Sequence, residues 1–307
     1  MSTILLATEK QFTKETVEEI KDLIEKSGNI FKLLENYTDK QQLLDAVSNV
    51  DALIVRSDKV TKEIIDAAKN LKIIVRAGAG FDNIDLDAAT KKGIVVMNTP
   101  GQNSNAVAEL VFGLLIFAVR NFYNGKTGTE LKGKKLGLLA FGQVGRNVAR
   151  IAKGFGMEIY SYDAFVPAKK IEEAGIHPVE NQEELFKICD IVSLHIPATK
   201  QTIQSINYEL CSKMKKGAIL INTARKEVIN EREIIKLMEE RQDLKYLTDL
   251  APDAKDEFKT KFEGRYFATP KKMGAQTEEA NINAGKAAAN QIIDYFKTGN
   301  TKFQVNK

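Results

Sequence analysis

Short apolar runs alternate with amphipathic stretches along almost the whole chain, and this alternation limits the fold more than any other feature. The first strand-like runs are residues 3–7, 52–55, 72–75 and 94–97. Residues 14–27, between the first two of these runs, carry their apolar side chains on one helical stripe. Repeated strand–helix units predict a parallel β-sheet covered by helices on both faces.

A second series of strand–helix units follows an apolar helical stretch. Its strand-like runs are KLGLLA, EIYSYD, DIVSLHI, AILINT, LKYLTDL and YFATP. Two series, each with its own sheet, predict an α/β protein with two doubly wound parallel-sheet domains. No Gly/Ser-rich linker separates them, so we expect a helix or a tight crossing near residue 98.

Charge, cysteine content and the first residues argue against nucleic-acid binding, a disulfide-rich fold and a signal peptide. The net charge is +4 and the two signs are interleaved, which gives no strong field for nucleic acid or anionic lipid. Cys189 and Cys211 lie in apolar surroundings, which argues against a disulfide framework and fits a reducing cytoplasm. The first residues resemble a strand rather than a signal peptide.

The longest apolar run covers residues 106–119 and contains Glu109. It is too short to span a bilayer, so we expect a buried helix and no membrane anchor. Its polar flanks leave a second role open, which is packing against another subunit.

A glycine-rich turn joins the first strand of the second series to a helix. The sequence AFGQVG covers residues 140–145, directly between the two elements. This arrangement binds a pyrophosphate on exposed backbone N–H groups, which here belong to Gly142, Gln143, Val144 and Gly145. Ala140 replaces the first glycine of the G-x-G-x-x-G pattern, which is tolerable where φ is not strongly positive. A tight strand–helix corner without a ligand is the simpler alternative.

An acid ends the next strand. Asp163 lies 18 residues after Gly145, where a carboxylate hydrogen-bonds an adenosine ribose. The same carboxylate repels a 2′-phosphate, so NAD is favoured over NADP. A strand-end acid that only starts a turn is the alternative.

With these residues in place, the chain resembles the D-isomer-specific 2-hydroxyacid dehydrogenases and, within them, the short phosphoglycerate dehydrogenases. The resemblance covers nearly the whole chain. Its motifs, in order, are VRSDKVTKEII, VRAGAGFDNID, NTPGQNSNAVAEL, GTELKGKKLGLLAFGQVG, VSLHIPATKQT and MKKGAILINTAR.

The resemblance implies a flavodoxin-like substrate domain of residues 1–97 and 275–307, and a Rossmann-type NAD-binding domain of residues 98–274. It also implies a homodimer formed through the nucleotide domain, and no regulatory domain is expected. The implied activity is NAD-dependent oxidation of D-3-phosphoglycerate to 3-phosphohydroxypyruvate in serine biosynthesis.

The family's chemistry uses an arginine, a glutamate and a histidine. The arginine matches Arg225, whose charged planar fork suits a 2-hydroxy acid; the family glycine after it is Lys226. The histidine position is occupied by Lys271. A lysine acts as a base only if its pKa falls well below its ordinary value of ~10.4. Catalysis by Lys271 and a solvated surface role are both open, whereas Lys272 is expected at the surface.

The family glutamate is also absent. Counting from the preceding strand places Ala254 at its position, one residue after Asp253. A histidine needs a carboxylate to orient its ring, but a nearby anion would keep a lysine protonated. Loss of the glutamate therefore agrees with loss of the histidine, and a part for Asp253 is left open.

The remaining site residues follow from the family's motifs. The expected cofactor contacts, beyond the glycine turn and Asp163, are His195, Pro197, Thr202, Thr223, Ala224, Asp249 and Gly274. The expected substrate contacts are Arg56, Ser57, Lys59, Arg76, Ala77, Gly78 and Asn103. The basic members of this second set predict a small anionic, phosphorylated substrate. No metal site is expected.

Two alternatives remain open at this point. One is a dehydrogenase for another D-2-hydroxy acid, such as glycerate or glyoxylate. The other is a catalytically silent, NAD-sensing binding protein of the same fold, because the catalytic positions are altered.

Overall fold

The computed structural model describes all residues from 1 to 307 and divides the chain into two compact units. Unit 1 comprises Met1–Asn103 and Thr277–Lys307, and unit 2 comprises Ser104–Gln276. The first boundary coincides with the start of a helix, and the second lies one residue before the start of another.

The elements follow one another in strand–helix order. The first part of unit 1 contains β1 (Thr3–Thr8), α1 (Lys14–Lys26), β2 (Ile30–Glu35), α2 (Lys40–Val47), β3 (Ala52–Val55), α3 (Lys62–Ala67), β4 (Ile73–Arg76), α4 (Leu86–Lys91) and β5 (Val95–Asn98). Unit 2 contains α5 (Ser104–Val119), β6 (Lys135–Leu139), α6 (Gln143–Gly154), β7 (Glu158–Tyr162), α7 (Ala168–Glu173), β8 (His177–Pro178), α8 (Gln182–Ile188), β9 (Ile191–Leu194), α9 (Tyr208–Ser212), β10 (Ile219–Asn222), α10 (Glu231–Glu240), β11 (Lys245–Thr248), α11 (Lys255–Lys261) and β12 (Tyr266–Ala268). The last helix, α12 (Glu278–Thr298), returns to unit 1.

Both sheets are parallel throughout. The sheet of unit 1 has the strand order β2-β1-β3-β4-β5, which is the flavodoxin-like order. The sheet of unit 2 has the order β12-β11-β10-β9-β6-β7-β8, which is the Rossmann order with one strand added at its end. The predicted fold class is therefore confirmed.

Two strands were not anticipated. Strand β2 lies at the edge of its sheet, none of its six residues is buried, and Lys32 interrupts its apolar residues. Strand β8 is only two residues long, which is too short for a pattern of apolar residues to reveal it.

Helix α12 and the residues after it complete unit 1. A Cβ on Gly285 would lie 2.6 Å from Cδ1 of Ile20, so α12 packs closely on α1. Beyond the helix, the Val96 amide donates to Oδ1 of Asn306 at 2.8 Å, and the Val305 amide donates to the Val96 carbonyl at 2.8 Å. The end of the chain is thereby fastened to β5.

Helix α5 corresponds to the longest apolar run of the sequence. Nine of its residues are buried, and seven of them, including Val111, Phe112 and Leu115, belong to one hydrophobic core cluster of unit 2. None of the helices has both the length and the apolar character that crossing a membrane requires.

Candidate active site

The glycine-rich turn follows β6, at the point where the strand order of unit 2 reverses. Gly142 is the N-cap of α6, and the Arg146 amide donates to the Gly142 carbonyl at 3.0 Å. The N–H groups of the first helical turn before Arg146 have no intrahelical partner. Together with the positive end of the helix dipole they form a favourable position for a diphosphate.

Gly145 is required by the close approach of the helix to the strand end. A Cβ at this position would lie 2.5 Å from the Ala140 carbonyl oxygen and 3.7 Å from Cδ2 of His195. At Gly142, in contrast, a Cβ would meet no protein atom within 4 Å. The space above Gly142 is therefore open, as an incoming phosphate group needs.

Ala140 differs from the expectation for the first position of the turn. Its φ is +85°, in the left-handed region that favours glycine. The alanine therefore carries backbone strain of about 1–2 kcal/mol. The turn keeps the conformation of the glycine pattern although its first glycine is absent.

Asp163 has a local structural role at the end of β7. Its Oδ2 accepts from the Phe141 amide at 2.7 Å, and its Oδ1 accepts from the amides of Phe165 and Val166 at 2.8 and 2.9 Å. The carboxylate thereby joins the glycine turn to the loop after β7. A cavity of about 380 Å³ next to it is lined by residues 162–168, Ile171 and 178–180.

Two buried polar atoms that follow the neighbouring strands β9 and β10 lack a partner. They are Nε2 of His195, after β9, and Oγ1 of Thr223, after β10. Burial lowers the pKa of the His195 imidazole to about 4, so the ring is neutral at pH 7. Unpaired groups of this kind, at the carboxyl ends of strands beside a phosphate-binding turn, fit a polar ligand such as a dinucleotide.

Arg225 and Lys271 lie at corresponding positions after the ends of the two strands that flank β11. Asn222 and Ala268, the last residues of β10 and β12, both pair with Thr248 of β11. Each of the two basic residues follows three positions later in the sequence. Because neighbouring strands are about 4.8 Å apart, their strand ends are roughly 10 Å apart. A three-carbon acid could be contacted from both.

The turn that carries Arg225 is held by Asn222. The Asn222 side chain donates to the Arg225 carbonyl at 2.8 Å and accepts from the Ala224 amide at 3.0 Å. The guanidinium makes one contact, from Nη1 to the Ala224 carbonyl at 2.8 Å. Most of its donors are thus available to a ligand.

Asp253 has a different partner from the one left open by the sequence. Its Oδ1 lies 2.6 Å from Nζ of Lys226, the residue that replaces the family glycine. The carboxylate of Glu231 accepts from the amides of Asp253 and Ala254, both at 2.9 Å. The carboxylate closest in sequence to the missing glutamate is therefore paired with a cation other than Lys271.

The side chain of Lys271 is exposed, and its ammonium group has no ion-pair or hydrogen-bond partner. Lys272 is exposed as well. The turn that contains both lysines is fastened to Asp249, which is 1% exposed, through contacts that include the amide of Gly274 at 2.7 Å.

The expected cofactor contacts on the loop after β9 form their own turn. Oγ1 of Thr202 donates to the Pro197 carbonyl at 2.5 Å and accepts from the Thr199 amide at 2.8 Å. Pro197 is exposed and Thr202 is partly buried.

Arg56 lies after β3 in unit 1 and is partly buried. Its Nη2 donates to Oδ1 of Asn281 at 2.6 Å, and its guanidinium carbon lies 4.6 Å from the centre of the Phe12 ring. Burial lowers the pKa of the guanidinium. A charged group held partly out of water is well suited to bind an anion.

Asp58 is a residue of this region that the sequence reasoning missed. It is 2% exposed, and it accepts from the Glu9 amide at 2.6 Å, the Arg56 amide at 3.0 Å and the Tyr37 hydroxyl at 2.8 Å. These contacts tie together the loops after β1, β2 and β3. A single sequence contains no pattern that distinguishes the buried carboxylate in VRSDK from an acidic side chain at the surface.

From the resemblance, the turn of residues 77–79 after β4 is expected to offer backbone N–H groups to the substrate carboxylate. The Ala77 amide donates to the Val55 carbonyl at 2.8 Å, and the Gly78 amide donates to the Arg76 carbonyl at 2.9 Å. The first two of these donors are therefore occupied. The next two amides, of residues 79 and 80, donate no hydrogen bond and face no such competition.

The other expected substrate contacts lie around the same strand ends. Nε of Arg76 donates to the Arg56 carbonyl at 2.9 Å, which links β4 to β3. Ser57 and Lys59 are exposed after β3, and Asn103 is partly buried directly before α5. No group of His, Cys, Asp or Glu side chains is arranged to hold a metal ion.

Residues 5–306 match the profile of the D-isomer specific 2-hydroxyacid dehydrogenase, catalytic domain, and the chain belongs to this family. Among solved structures, it is similar to the NAD⁺-bound 3-phosphoglycerate dehydrogenase of Entamoeba histolytica. The two share 49% identity with a TM-score of 0.89, over 100% of this chain and 99% of that one.

Curated relatives include the D-3-phosphoglycerate dehydrogenase of Methanocaldococcus jannaschii, with 38% identity over 82% of this chain and 51% of the relative. They also include the hydroxypyruvate reductase of Thermotoga maritima, with 44% identity over 64% of this chain and 67% of the relative. The chain thus spans about half the length of the first of these relatives.

Proposed function

We propose that this protein oxidises D-3-phosphoglycerate to 3-phosphohydroxypyruvate with NAD⁺, as a step of serine biosynthesis. The observation that carries the proposal is the placement of Arg225 and Lys271 on either side of β11, at the carboxyl edge of the sheet that also carries the glycine-rich turn. The whole-chain similarity to an NAD⁺-bound 3-phosphoglycerate dehydrogenase supports it.

In the proposed reaction, Arg225 binds the oxygen atoms next to C2 of the substrate. Lys271, as the neutral amine, accepts the proton of the C2 hydroxyl group while the hydride leaves C2 and a carbonyl group forms. Bound NAD⁺ supplies the hydride acceptor. The ammonium form of Lys271 then returns its proton to water, and the same groups serve the reverse direction.

NAD is the proposed cofactor on the basis of residues in unit 2. The glycine turn, with the open space above Gly142, suits the diphosphate. The unpaired Nε2 of His195 and Oγ1 of Thr223 offer polar contacts, and Asp163 places a negative charge where NADP would carry its 2′-phosphate. We include Gln143, Val144, Pro197, Thr202, Ala224 and Gly274 in the proposed cofactor contacts.

The basic residues of unit 1 are the proposed binding groups for the substrate phosphate. Arg56 is held by Asn281 and Phe12. Lys59 follows the same strand, β3, and Arg76 is the last residue of the neighbouring strand β4. Pre-organisation of this kind lowers the entropic cost of binding an anion. The free amides of residues 79 and 80, rather than those of Ala77 and Gly78, are the proposed donors to the carboxylate.

The test of the proposed function is NADH formation, followed by absorbance, with D-3-phosphoglycerate, D-glycerate and D-lactate compared at equal concentrations. We expect catalytic efficiency to be highest with D-3-phosphoglycerate. Preference for D-glycerate would favour the second candidate, a hydroxypyruvate reductase, which the Thermotoga maritima relative supports. NAD⁺ binding without turnover of any of the three acids would indicate a binding protein instead.

A second test addresses the base. Lys271→Ala should lower turnover by roughly 10²–10⁴-fold, the usual scale for general acid–base catalysis, and leave NAD⁺ binding unchanged. The oxidative rate of the wild type should rise with pH through an alkaline limb that the variant lacks. Lys272→Ala is the matched control and should keep normal turnover. Near-normal turnover of Lys271→Ala with the same limb would remove the lysine from the mechanism.

We further propose a homodimer formed through unit 2. Three consecutive residues after α5, namely Asn121, Phe122 and Tyr123, have φ of 50–55°, and Tyr123 is 65% exposed. The ring of Phe117 contacts both aromatic residues, at 5.0 and 5.3 Å between centroids. A strained turn that presents an aromatic side chain to solvent suits an interface. Sedimentation velocity of the wild type and of Tyr123→Asp tests this.

The proposed location is the cytoplasm. Both cysteines are buried and are not joined in a disulfide. Burial raises the pKa values of both thiols, which makes them poor nucleophiles. Such thiols fit a reducing compartment. Fractionation of the source cells would test it.

A further inference from the structure

Asp249 is the first residue after β11, directly between the strand ends that precede Arg225 and Lys271. Its side chain is 1% exposed and accepts three hydrogen bonds. Oδ1 lies 2.8 Å from the Thr269 hydroxyl and 2.7 Å from the Met273 amide, and Oδ2 lies 2.7 Å from the Gly274 amide.

We propose that Asp249 is a positioning residue for Lys271, and that it acts by fastening both ends of the turn that carries this lysine. The proposal deepens the proposed function and rests on Lys271 as the base. It differs from the expectation drawn from the resemblance, which places Asp249 among the cofactor contacts.

The three donors enclose the lysine in sequence. Thr269 precedes Lys271 by two residues, and Met273 and Gly274 follow it by two and three. A single carboxylate therefore closes a loop of residues 269–274 at both ends. Pro270 limits φ within the loop, and the Thr269 amide donates to the Thr248 carbonyl at 3.0 Å, which continues the pairing of β12 with β11.

The side chain of Thr269 has two acceptors within reach. Its hydroxyl oxygen lies 2.8 Å from Oδ1 of Asp249 and 2.9 Å from the Lys271 carbonyl oxygen. The hydroxyl has one proton, and the charged carboxylate is the stronger acceptor. Removal of this hydroxyl therefore loosens the loop on the side next to the lysine.

Gly274 allows the carboxylate to approach the backbone so closely. A Cβ at this position would lie 3.0 Å from Oδ2 of Asp249 and 3.2 Å from Cγ2 of Val107. With Oδ1 accepting twice and the side chain almost without exposure, Asp249 faces the loop rather than an incoming ligand. The amine of Lys271 is exposed and unpartnered, so the fixed backbone is what determines its position.

Two substitutions test the proposal. Asp249→Asn places an NH₂ group against backbone N–H donors, and Thr269→Val removes the hydroxyl while it keeps the shape of the side chain. A misplacement of about 1 Å costs roughly 10²-fold in rate. We therefore expect turnover to fall about 10²-fold in Asp249→Asn and about 10-fold in Thr269→Val, with the Michaelis constant for NAD⁺ within about twofold of the wild type. Thr269→Ser keeps the hydroxyl and should restore turnover.

A readout independent of activity is hydrogen exchange of the peptide covering residues 270–276, measured without ligands. The exchange of this peptide should accelerate in Asp249→Asn and Thr269→Val and remain slow in Thr269→Ser. A tenfold rise of the Michaelis constant for NAD⁺ with normal turnover and unchanged exchange would overturn the proposal and assign Asp249 to the nicotinamide. Thr269→Ser that behaves like Thr269→Val would also overturn it.

The exchange measurement separates this proposal from the proposed function. If Lys271→Ala retains turnover, the lysine is not the base, and the role of Asp249 in catalysis is overturned with it. Faster exchange in Asp249→Asn would then show only that the carboxylate orders the loop.

Discussion

Because the space above Gly142 is open, adding one methyl group there should weaken ligand binding without affecting the stability of the fold. In the free protein, a Cβ at Gly142 would meet no atom within 4 Å, and φ of −75° is accessible to any residue. Gly142→Ala therefore causes no clash in the protein itself. A methyl group at this place would, however, occupy the space that a diphosphate needs for contact with the backbone.

The expected effect on stability is small because two contributions offset each other. Replacing glycine by alanine at a compatible backbone conformation stabilises by about 0.4–1 kcal/mol through the unfolded state. Alanine is a poorer N-cap than glycine, and this costs a similar amount. We expect the free energy of unfolding to change by less than about 0.5 kcal/mol.

The expected effect on NAD⁺ binding is large. Loss of one charge-assisted hydrogen bond to a phosphate costs about 1.5–3 kcal/mol, which corresponds to a roughly 10- to 150-fold larger dissociation constant for NAD⁺. Isothermal titration calorimetry measures the affinity, and urea unfolding measures the stability. Gly145→Ala is the contrasting variant, because its Cβ would lie 2.5 Å from the Ala140 carbonyl oxygen and should destabilise the fold itself. Unchanged NAD⁺ affinity in Gly142→Ala would show that this turn is not the diphosphate site.

Three further substitutions test separate parts of the structure. Ala140→Gly should raise stability by about 0.5–1 kcal/mol in urea unfolding, since relief of left-handed strain of about 1–2 kcal/mol exceeds the entropic cost of glycine of about 0.5–1 kcal/mol; a loss of stability would contradict the strain at φ +85°. Burial lowers the pKa of His195 to about 4, whereas the unfolded value is ~6.5. Its contribution to the free energy of unfolding is therefore complete above a pH of about 6.5, and at most about 3 kcal/mol is lost as the pH falls towards about 4. His195→Gln should flatten that part of the stability curve, and a curve parallel to the wild type would exclude His195 as its source. Arg56→Ala should raise the Michaelis constant for D-3-phosphoglycerate roughly 10- to 150-fold and leave that for NAD⁺ nearly unchanged; an unaltered substrate constant would return Arg56 to a structural role on Phe12.

The sequence alone predicts those parts of the structure in which the contacts come from residues that are adjacent in the chain. Strand β6, the glycine turn and α6 are contiguous, and their order alone predicts the phosphate-binding arrangement. Strand β2 was missed because an edge strand with exposed side chains has no apolar run to reveal it.

Contacts between segments distant in sequence could not be predicted. Nothing in VRSDK indicates that Asp58 is buried beneath the loops after three strands, because its partners Glu9 and Tyr37 lie far away in the chain. The pairing of Lys226 with Asp253 is of the same kind. The positive φ of Ala140 was also hidden, since an alanine normally avoids that conformation.

Because unit 1 consists of two segments, the two units become complete in a fixed order during synthesis. Residues 104–276 leave the ribosome as one uninterrupted stretch, so unit 2 has all its strands before residue 277 is made. Unit 1 waits for the last 31 residues, Thr277–Lys307, which supply α12 and the strand-like contact of Val305 with Val96. Domains usually fold in order from the N-terminus. Here the unit that begins first is completed second, and Arg56 gains its partner Asn281 only after all of unit 2 has been made.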